Sequence, residues 1–355
     1  MRAPLLTRRA LLVAGLGAGA LLAAGRAVRA GTRGSGDRSS FDDARVAREP
    51  GTLLDREGYR EVELDWTDGR RQRAIPVRLY LPKAPATGEP LPLVLFSHGL
   101  GGSRRGYSYL GAHFARSGLA CLHVQHIGSD RGLWIGGSPL ELASRLQSAA
   151  ADSEAMNRVG DLRFALDRVL DAGATDSWRF AVDADRIIAA GHSYGANSSL
   201  LISGAQVERD GGVVDLRDER IRAAVLLSAP PFYGAPTMEP ILRPITLPSL
   251  HVTTTGDDIR VPGYFSPAAD RVAVFNAIGS RPKALAVYAG GEHSIFTDRT
   301  FPGGPELNAR VKAATQELVI AFLAKAFEAR GEPMSAWRER HSQMLARFAQ
   351  EPGQV

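Results

Sequence analysis

Short apolar runs recur between residues 59 and 289, each bounded by glycine, proline or other turn residues. Runs of this length are typical of strands, and continuous apolar runs are typical of strands that are buried on both faces. The pattern predicts eight strands, at about 59–66, 74–81, 92–97, 118–125, 186–191, 222–228, 248–255 and 284–289.

Segments with apolar residues three and four positions apart lie between these runs and predict helices at about 104–117, 154–171, 194–204 and 307–329. In the second segment the spacing predicts a buried face of Met156, Val159, Leu162, Leu166 and Val169, and a solvated face that includes Asp161, Asp167 and Asp171. Strands that alternate with helices predict an α/β fold with a mostly parallel eight-stranded sheet and helices on both faces.

Two segments depart from this alternation. Residues 130–150 follow the fourth strand and predict a short insertion, which could form a flap near a substrate. The tail after Gly331 contains Trp337, Met344, Leu345 and Phe348, which predict a final helix packed on the domain. The predicted organisation is an N-terminal segment at 1–30, a flexible polar leader at 31–50, a folded domain at 51–330 and a helical tail at 331–355.

The first 30 residues have the features of an export signal. Arg8 and Arg9 precede an apolar stretch from Ala10 to Gly25, and Val28-Arg29-Ala30 resembles a processing site. The arginine pair resembles a twin-arginine signal, although a general secretory signal can also hold two arginines. Retention as an anchor is the alternative, but the stretch is shorter than the roughly 20 residues of a spanning helix. We expect an exported protein, periplasmic or extracellular, without a membrane span after cleavage.

The net charge of +5 comes from this segment. Subtracting its five arginines from the 43 basic residues leaves 38, which equals the number of acidic residues. The remainder is therefore close to neutral, and its charge gives no reason to expect a nucleic-acid partner. The single cysteine, Cys121, lies in an apolar run and is expected to be a buried strand thiol.

The motif Gly191-His192-Ser193-Tyr194-Gly195 lies between a predicted strand and a predicted helix. A serine nucleophile must be exposed on a sharp strand-to-helix turn, and glycines two positions away on each side allow the backbone to fold that tightly. The helix that begins beside Ser193 also favours developing negative charge at that point. Ser193 is the predicted nucleophile.

A second glycine-rich turn, Ser97-His98-Gly99-Leu100-Gly101-Gly102, follows another buried strand. Such a turn presents free backbone N–H groups, which can bind the oxyanion of a tetrahedral intermediate together with the N–H after the nucleophile. We predict that the N–H groups of Leu100 and Tyr194 form this oxyanion hole. His98 is expected to orient the turn through a hydrogen bond.

The base and the acid follow from chain order, because an enzyme with this turn has its triad in the order serine, acid, histidine. His293 directly follows a predicted strand, whereas His341 lies in the tail. The acid must hold the imidazole in one tautomer, and the run before Gly256 ends in Asp257 and Asp258. We prefer Asp257, which is nearer the strand, and leave Asp258 open. No metal site is expected, since His123 and His126 point to opposite faces of a strand and no other zinc-type cluster occurs.

These motifs together resemble the bacterial relatives of platelet-activating-factor acetylhydrolase, which are grouped with dienelactone-hydrolase-like proteins and lie near the cutinase-type polyesterases. The resemblance spans about residues 55–325 and rests on SHGLGG, HVQHIGSDR, GHSYGA, HVTTTGDDIRVPGY and GGEHSIFTD. It implies that residues 51–330 form an α/β-hydrolase catalytic domain that cleaves carboxylic esters with a Ser-His-Asp triad and no cofactor. In the mammalian plasma enzyme the acid follows the preceding strand, which here ends in Ser228, so that enzyme's phospholipid specificity is not carried over.

The predicted pocket walls are Leu100, Tyr194, Trp134, Pro231, Phe232 and Tyr233. They favour an apolar acyl or aromatic group on a small-molecule, lipid or polyester ester. Two other functions use the same residues: a peptidase or amidase with this triad, and a noncatalytic binding protein that keeps the fold. Peptide substrates would reveal the first, and failure of a fluorophosphonate to label Ser193 would favour the second.

Overall fold

The computed structural model describes residues 51–83, 89–173, 176–209, 211–232, 234, 237–261, 264–300 and 304–351. The predicted export signal and leader lie outside these residues. The strands, in chain order, are β1 (Leu54–Arg56), β2 (Tyr59–Asp68), β3 (Arg73–Pro82), β4 (Leu91–Ser97), β5 (Ala120–Val124), β6 (Val182–His192), β7 (Gln206–Arg209), β8 (Gly212–Asp215), β9 (Ala223–Leu227), β10 (Ser249–Gly256), β11 (Ile259–Val261), β12 (Tyr264–Ser266), β13 (Lys283–Glu292) and β14 (Leu345–Glu351).

The α-helices are α1 (Ser108–Arg116), α2 (Pro139–Ala149), α3 (Asp152–Leu170), α4 (Tyr194–Ile202), α5 (Glu239–Leu242), α6 (Ala269–Ala277), α7 (Pro305–Glu328) and α8 (Glu332–Arg340). Each of the four predicted helices corresponds to one of these. In the part of the chain that the structure describes, no helix is long and apolar enough to span a membrane.

The main sheet has the strand order β1-β2-β3-β5-β4-β6-β9-β10-β13-β14. Its six central strands, from β5 to β13, are parallel, and the strands at both ends are antiparallel. All eight predicted strands belong to it, and the mostly parallel α/β architecture is confirmed. The predicted number of eight was wrong, because β1 and β14 extend the two ends without continuous apolar runs of their own.

Apolar side chains of the central strands pack against helices on both faces of the sheet. In β4, Leu93 and Leu95 join a core with α3 and α4, whereas Val94 and Phe96 join a core with α1 and α7. Successive side chains of a strand point to opposite faces, so a strand covered on both sides must be apolar throughout. This is why these strands could be predicted from uninterrupted apolar runs.

The predicted insertion lies between β5 and α3. It consists of a 3-10 turn, Arg131–Trp134, followed by α2. Ser138 caps α2, because its hydroxyl accepts from the N–H of Glu141 while the Glu141 carboxylate accepts from the N–H of Ser138. Ile135 and Leu140 are exposed, so this segment presents apolar side chains to solvent.

The tail is helical only in part. α8 packs against α7, and the Trp337 indole N–H donates to the carbonyl oxygen of Ala314 at 2.8 Å. Met344 is buried, but residues from Leu345 onward form β14, which pairs with β13. The prediction of a wholly helical tail was therefore wrong. The open edge of β13 provides backbone hydrogen-bond partners that a helix over these residues would leave unused.

The helix α3 is rotated relative to the predicted amphipathic pattern. Val159, Leu162, Leu166 and Val169 are buried as expected, but Met156 is 47% exposed. Arg158 and Asp161 are fully buried, which corrects the prediction of Asp161 on a solvated face. Charged side chains therefore form part of the inner face of α3.

Candidate active site

The predicted site residues meet at one edge of the sheet. β4, β6, β10 and β13 are parallel neighbours or near neighbours, so their carboxyl ends lie at the same edge. The turns that follow them carry Leu100, Ser193, Asp257 and His293 respectively. In open α/β sheets, ligand-binding groups gather at this edge.

Ser193 occupies the sharp turn between β6 and α4. Its backbone has φ 55° and ψ −121°, a conformation that is unfavourable for a residue with a side chain. Both glycines of the motif are required sterically. A Cβ on Gly191 would collide with the carbonyl group of Gly195, and a Cβ on Gly195 would collide with the carbonyl oxygen of Ser97. The GHSYG sequence therefore forms this turn because only glycine fits on either side of Ser193.

Ser193, His293 and Asp257 form one hydrogen-bonded chain. The Asp257 Oδ1 to His293 Nδ1 distance is 2.6 Å, and the His293 Nε2 to Ser193 Oγ distance is 2.8 Å. A carboxylate on Nδ1 requires the proton there, which leaves Nε2 free to accept from the hydroxyl. The arrangement can remove a proton from Ser193 and stabilise the resulting imidazolium.

The Asp257 carboxylate is fully buried. Its second oxygen accepts from Thr253 Oγ1 at 2.6 Å, and the buried Arg271 lies 3.6 Å from Oδ1. Burial alone would raise the pKa of Asp257, but the hydrogen bond and charge of His293 and the charge of Arg271 outweigh it, so the pKa is lowered. The carboxylate is therefore ionised at neutral pH. We call Ser193, His293, Asp257, Thr253 and Arg271 the triad cluster.

Asp258 points away from His293. Its side chain is 36% exposed, pairs with Arg260 at 2.9 Å, and accepts from the backbone N–H of Ala268 at 3.0 Å. Ala268 is the residue before α6. Asp258 thus binds the backbone N–H of the residue before α6. Of the two candidate acids, only Asp257 contacts His293.

The turn after β4 packs directly against the serine turn, as the contact between Gly195 and Ser97 shows. Within the described residues, the N–H groups of Leu100 and Tyr194 have no hydrogen-bond acceptor, whereas those of Gly99, Gly101 and Gly102 do. Two unpaired donors beside a nucleophilic hydroxyl are the groups that an oxyanion hole requires, and Leu100 and Tyr194 are the residues predicted for that role.

One hydrogen-bond chain links the three turns. Gly99 N–H donates to the Tyr107 hydroxyl at 3.2 Å, that hydroxyl donates to His192 Nδ1 at 2.8 Å, and His192 Nε2 donates to the carbonyl oxygen of His293 at 3.0 Å. Burial, reinforced by the charge of His293, lowers the pKa of His192 to about 3. A neutral His192 therefore fixes the relative positions of both turns and the histidine loop.

Sequence reasoning missed a second buried group beneath the turn after β4. The guanidinium of Arg158 donates to Ser198 Oγ at 2.8 Å, to Ser129 Oγ at 2.8 Å and to Ser97 Oγ at 3.0 Å. It also donates to the carbonyl oxygen of His98. We call Arg158, Ser97, His98, Ser129 and Ser198 the arginine cluster.

His98 has the orienting position that was expected. Its Nδ1 donates to the carbonyl oxygen of Gly99 at 2.7 Å, and its Nε2 accepts from the backbone N–H of His126 at 3.1 Å. Burial and the nearby charge of Arg158 lower the pKa of His98 well below its usual value. The imidazole is therefore neutral and cannot contact Ser193 as a base while it makes these bonds.

Of the predicted pocket residues, Trp134 lies nearest in the structure to the turn that carries Leu100, and the pocket as a whole stays a prediction. Trp134 is 51% exposed, and its indole N–H donates to the carbonyl oxygen of Gly101 at 3.2 Å, so it lies beside the turn that carries Leu100. Phe232 is half-buried and packs against the core that contains α3 and α4. Tyr233 lies outside the described residues.

A shallow cavity of about 270 Å³ lies beside the residues that follow the Gly99–Gly102 turn, and Ser193 does not line it. Its wall includes Arg104, Arg105 and Arg131. Arg104 and Arg105 are already paired with Glu63.

Cys121 is buried in β5, and burial raises the pKa of its thiol. Among the described residues, no group of three or more histidine, cysteine and acidic side chains is arranged to hold a metal ion.

Comparison with known proteins bears on the fold and the family. Residues 74–131 match the family described as platelet-activating factor acetylhydrolase, isoform II. A ferulic acid esterase from Streptomyces cinnamoneus has a similar structure, with a TM-score of 0.52 and 23% identity over 79% of this chain and 93% of that chain. The chain has the α/β-hydrolase fold. No curated protein sequence matches it at a significant level.

The family match covers the segment of this chain from β3 to the 3-10 turn, including the turn that carries Leu100. It confirms the resemblance to the acetylhydrolases over that segment and supports the assignment to the carboxylic ester hydrolases. A PEG-bound cold-adapted esterase from an Arctic intertidal metagenomic library is also similar, with a TM-score of 0.48 and 17% identity over 75% of this chain and 97% of that chain.

Proposed function

We propose that this protein is an exported serine esterase that hydrolyses carboxylic esters through an acyl-enzyme. The observation that carries the proposal is the hydrogen-bonded chain from Asp257 through His293 to Ser193, at 2.6 and 2.8 Å. The family match and the hydrolase fold support ester hydrolysis as the reaction.

In the proposed mechanism, Ser193 Oγ attacks the ester carbonyl carbon and transfers its proton to His293 Nε2. Asp257 stabilises the imidazolium, and the N–H groups of Leu100 and Tyr194 bind the carbonyl oxygen as it becomes negative. The C–O bond of the ester then breaks, and His293 returns the proton to the departing alcohol. A water molecule, activated by His293, hydrolyses the acyl-enzyme in the same way and regenerates Ser193.

We propose that Trp134 borders the bound ester, because it lies against Gly101, next to Leu100, and is half exposed. An indole at this position favours an apolar or aromatic group on the substrate. A panel of short p-nitrophenyl esters, a phospholipid, a polyester and an ester of ferulic acid would define the group accepted. A preference lost in Trp134→Ala would support this role.

Hydrolysis of p-nitrophenyl acetate and butyrate by the mature protein tests the main proposal. Ser193→Ala should lower kcat by about 10⁶-fold, as expected for loss of a triad serine. Ser203→Ala is the matched control, since Ser203 is a buried serine just after α4 whose hydroxyl has no partner among the described residues. Activity that survives Ser193→Ala would refute the proposal. Cleavage of peptides with no cleavage of esters would favour the peptidase.

Export is a separate proposal and rests on the N-terminal sequence. The Arg8-Arg9 pair, the apolar stretch and Val28-Arg29-Ala30 support cleavage after transport by the twin-arginine route. N-terminal sequencing of secreted protein should give a start near Gly31. A start at Met1 would contradict cleavage, and Arg8→Lys with Arg9→Lys should block transport if the route is as proposed.

A further inference from the structure

Arg158 is a buried cation that the proposed mechanism does not use. Its side chain is fully buried, and all four of its hydrogen bonds go to neutral acceptors: three serine hydroxyls and one carbonyl. In the described part of the chain, no carboxylate lies within ion-pair distance of it. Burying a charge without a direct counterion is costly, so such a residue is unusual in a position that serves packing alone.

The nearby carboxylates bind groups other than Arg158. Glu154 accepts from Ser129 Oγ at 2.7 Å, and that hydroxyl separates it from Arg158. Asp161 is bound to Arg73 at 2.8 Å and to Arg71 at 2.9 Å. Burial raises the pKa of both carboxyls. Among the described residues, Arg158 therefore has no direct counterion where it meets the turn after β4.

Arg158 contacts both elements that carry the proposed oxyanion donors. On one side it bonds the hydroxyl of Ser97 and the carbonyl of His98, two residues before Leu100. On the other side it bonds Ser198 of α4, and its guanidinium carbon lies 4.5 Å from the ring centre of Tyr194. A planar guanidinium with five donors can hold two backbone segments in fixed register, which an ammonium cannot do.

Burial lowers the pKa of Arg158 to about 10, against the opposing charges of Tyr194, Glu154 and Asp161. The group is therefore charged at neutral pH. A cation held behind two N–H donors adds to the potential that stabilises negative charge in front of them, and the effect is strengthened by the low dielectric of the interior.

We propose that Arg158 is a positioning residue for the oxyanion hole, which fixes the N–H groups of Leu100 and Tyr194 and supports the developing oxyanion with its charge. This inference rests on the proposed esterase function. It predicts an effect on the transition state and little effect on substrate binding, because Arg158 is buried away from the substrate.

Steady-state kinetics of Arg158→Gln, Arg158→Lys and wild type on p-nitrophenyl butyrate test the inference. Arg158→Gln should lower kcat on the order of 10²-fold, the effect of a misplacement of about 1 Å, with KM changed less than about threefold. Arg158→Lys keeps the positive charge but lacks the planar guanidinium, so its kcat should lie between those of Arg158→Gln and wild type. Arg163→Gln is the matched control, because Arg163 lies on the same helix and bonds the carbonyls of Leu216 and Arg217, away from the site.

A merely structural role would give a different result. Loss of stability alone lowers the amount of folded enzyme but leaves kcat per folded molecule unchanged, so folded protein is quantified by circular dichroism and by Ser193 titration. Equal kcat in folded Arg158→Gln and wild type would overturn the inference. If Arg158→Gln does not fold, Arg158→Lys and Ser198→Ala, which each remove only part of the contacts, carry the same comparison.

A second measurement separates failure of this inference from failure of the proposed function. A fluorophosphonate places a negative oxygen in the same hole when it reacts with Ser193, whatever the natural substrate is. Labelling should be slower in Arg158→Gln than in Arg163→Gln by a similar factor to kcat. If the wild type is labelled but hydrolyses no ester, the proposed esterase function is refuted, and the labelling rates still test the role of Arg158. Equal labelling rates in Arg158→Gln and Arg163→Gln would refute the role of Arg158.

Discussion

The triad cluster and the arginine cluster lie on opposite sides of the Ser193 turn, because β4 borders β6 on one side and β10 lies beyond β9 on the other. Each contains a buried charge. Asp257 contacts His293 directly, a partner that becomes positive during the proposed reaction. Arg158 contacts neutral groups, and the Ser129 hydroxyl separates it from the carboxylate of Glu154.

This difference follows from what each charge must do. A carboxylate in direct contact responds to proton transfer, since its interaction with the imidazole strengthens when the imidazole is charged. A cation without a direct partner has an electrostatic field that does not change during the proposed reaction. In the arginine cluster that field acts at the two turns that Arg158 contacts. We therefore expect kcat to depend on the charge of Asp257 in the triad cluster. In the arginine cluster we expect kcat to depend on the charge of Arg158 and also on the geometry of its hydrogen bonds.

Among the variants that test this comparison, the largest effect is expected from neutralising Asp257. Asp257→Asn keeps the shape but removes the charge and favours the wrong tautomer of His293, so kcat should fall by about 10⁴-fold. Asp258→Asn is the matched control in the adjacent position and should change kcat less than about twofold, since Asp258 contacts Arg260 and Ala268. Comparable losses in the two variants would refute the assignment of the acid. The measurement is kcat on p-nitrophenyl acetate.

The next effect tests the point where the two turns touch. Gly195→Ala places a Cβ against the carbonyl oxygen of Ser97 and must push the serine turn away from the turn after β4. We expect kcat to fall on the order of 10²-fold, since a shift of about 1 Å misplaces the donors. Gly69→Ala, where a Cβ meets nothing within 4 Å, is the control. An unchanged kcat in Gly195→Ala would show that the contact does not position the site.

Acid stability is expected to depend on buried histidines near both clusters. Burial lowers the pKa of His251, in the strand that leads to Asp257, to about 3, from about 6.5 when unfolded. Its contribution to stability is complete above pH ~6.5 and is lost as the pH falls toward about 3. Wild type should therefore lose up to about 1.4 kcal/mol more per pH unit than His251→Gln does below pH ~6.5.

Urea unfolding at pH 7.5, 6.5 and 5.5 measures this difference. Above pH 7 the two curves should run parallel, because His251 is neutral in both states there. Parallel curves down to pH 5.5 would show that His251 is accessible to protons in the folded protein. A loss of stability at low pH is also expected from three other buried histidines with lowered pKa values, His98, His126 and His192. Glu154 and Asp161 have raised pKa values, so their protonation at low pH favours the folded state.

The smallest effect concerns the second oxygen of Asp257. Thr253→Val removes the hydroxyl that donates to it at 2.6 Å and keeps the shape of the side chain. One such bond contributes about 1 kcal/mol, so kcat should fall about fivefold. The variant also separates the triad cluster from the arginine cluster, because Thr253 does not contact Arg158. A change above about 50-fold would indicate that Thr253 orients Asp257 rather than only bonding it.

Much of the fold was predictable because the sheet is covered on both faces. The uninterrupted runs of the six central strands leave no polar side, and the sequence pattern is correspondingly clear. β1 and β14 were missed because edge strands are half exposed, and the residues LARFAQE alternate too weakly to be distinguished from a helix.

The site was predictable where one short motif contains its own geometric requirements. The glycines around Ser193 are an example, since each excludes a side chain at a specific contact. The choice between Asp257 and Asp258 depended on which side chain turns inward. Chain order reduced the candidates to these two, and only the shorter distance of Asp257 from the strand end favoured it.

Arg158 was missed because the helical spacing favoured Met156 as the inward residue and charged residues were assigned to solvent. A signal was nevertheless present. Glu154, Arg158 and Asp161 follow the same three/four spacing as an apolar face, and Arg71, just before β3, and Arg73, at its start, provide partners for the carboxylates. A charged stripe at helical spacing, together with opposite charges on a strand, predicts a buried polar network.

The pairing of β14 with β13 has a consequence for handling the protein. β13 leads into His293, and β14 covers its outer edge over residues 345–351. A chain cut before Leu345 would expose unpaired N–H and C=O groups along the edge of β13, which is an apolar strand. An extended segment of another molecule could then pair with that edge. Such a truncation is expected to aggregate, and to do so through the strand that leads into His293.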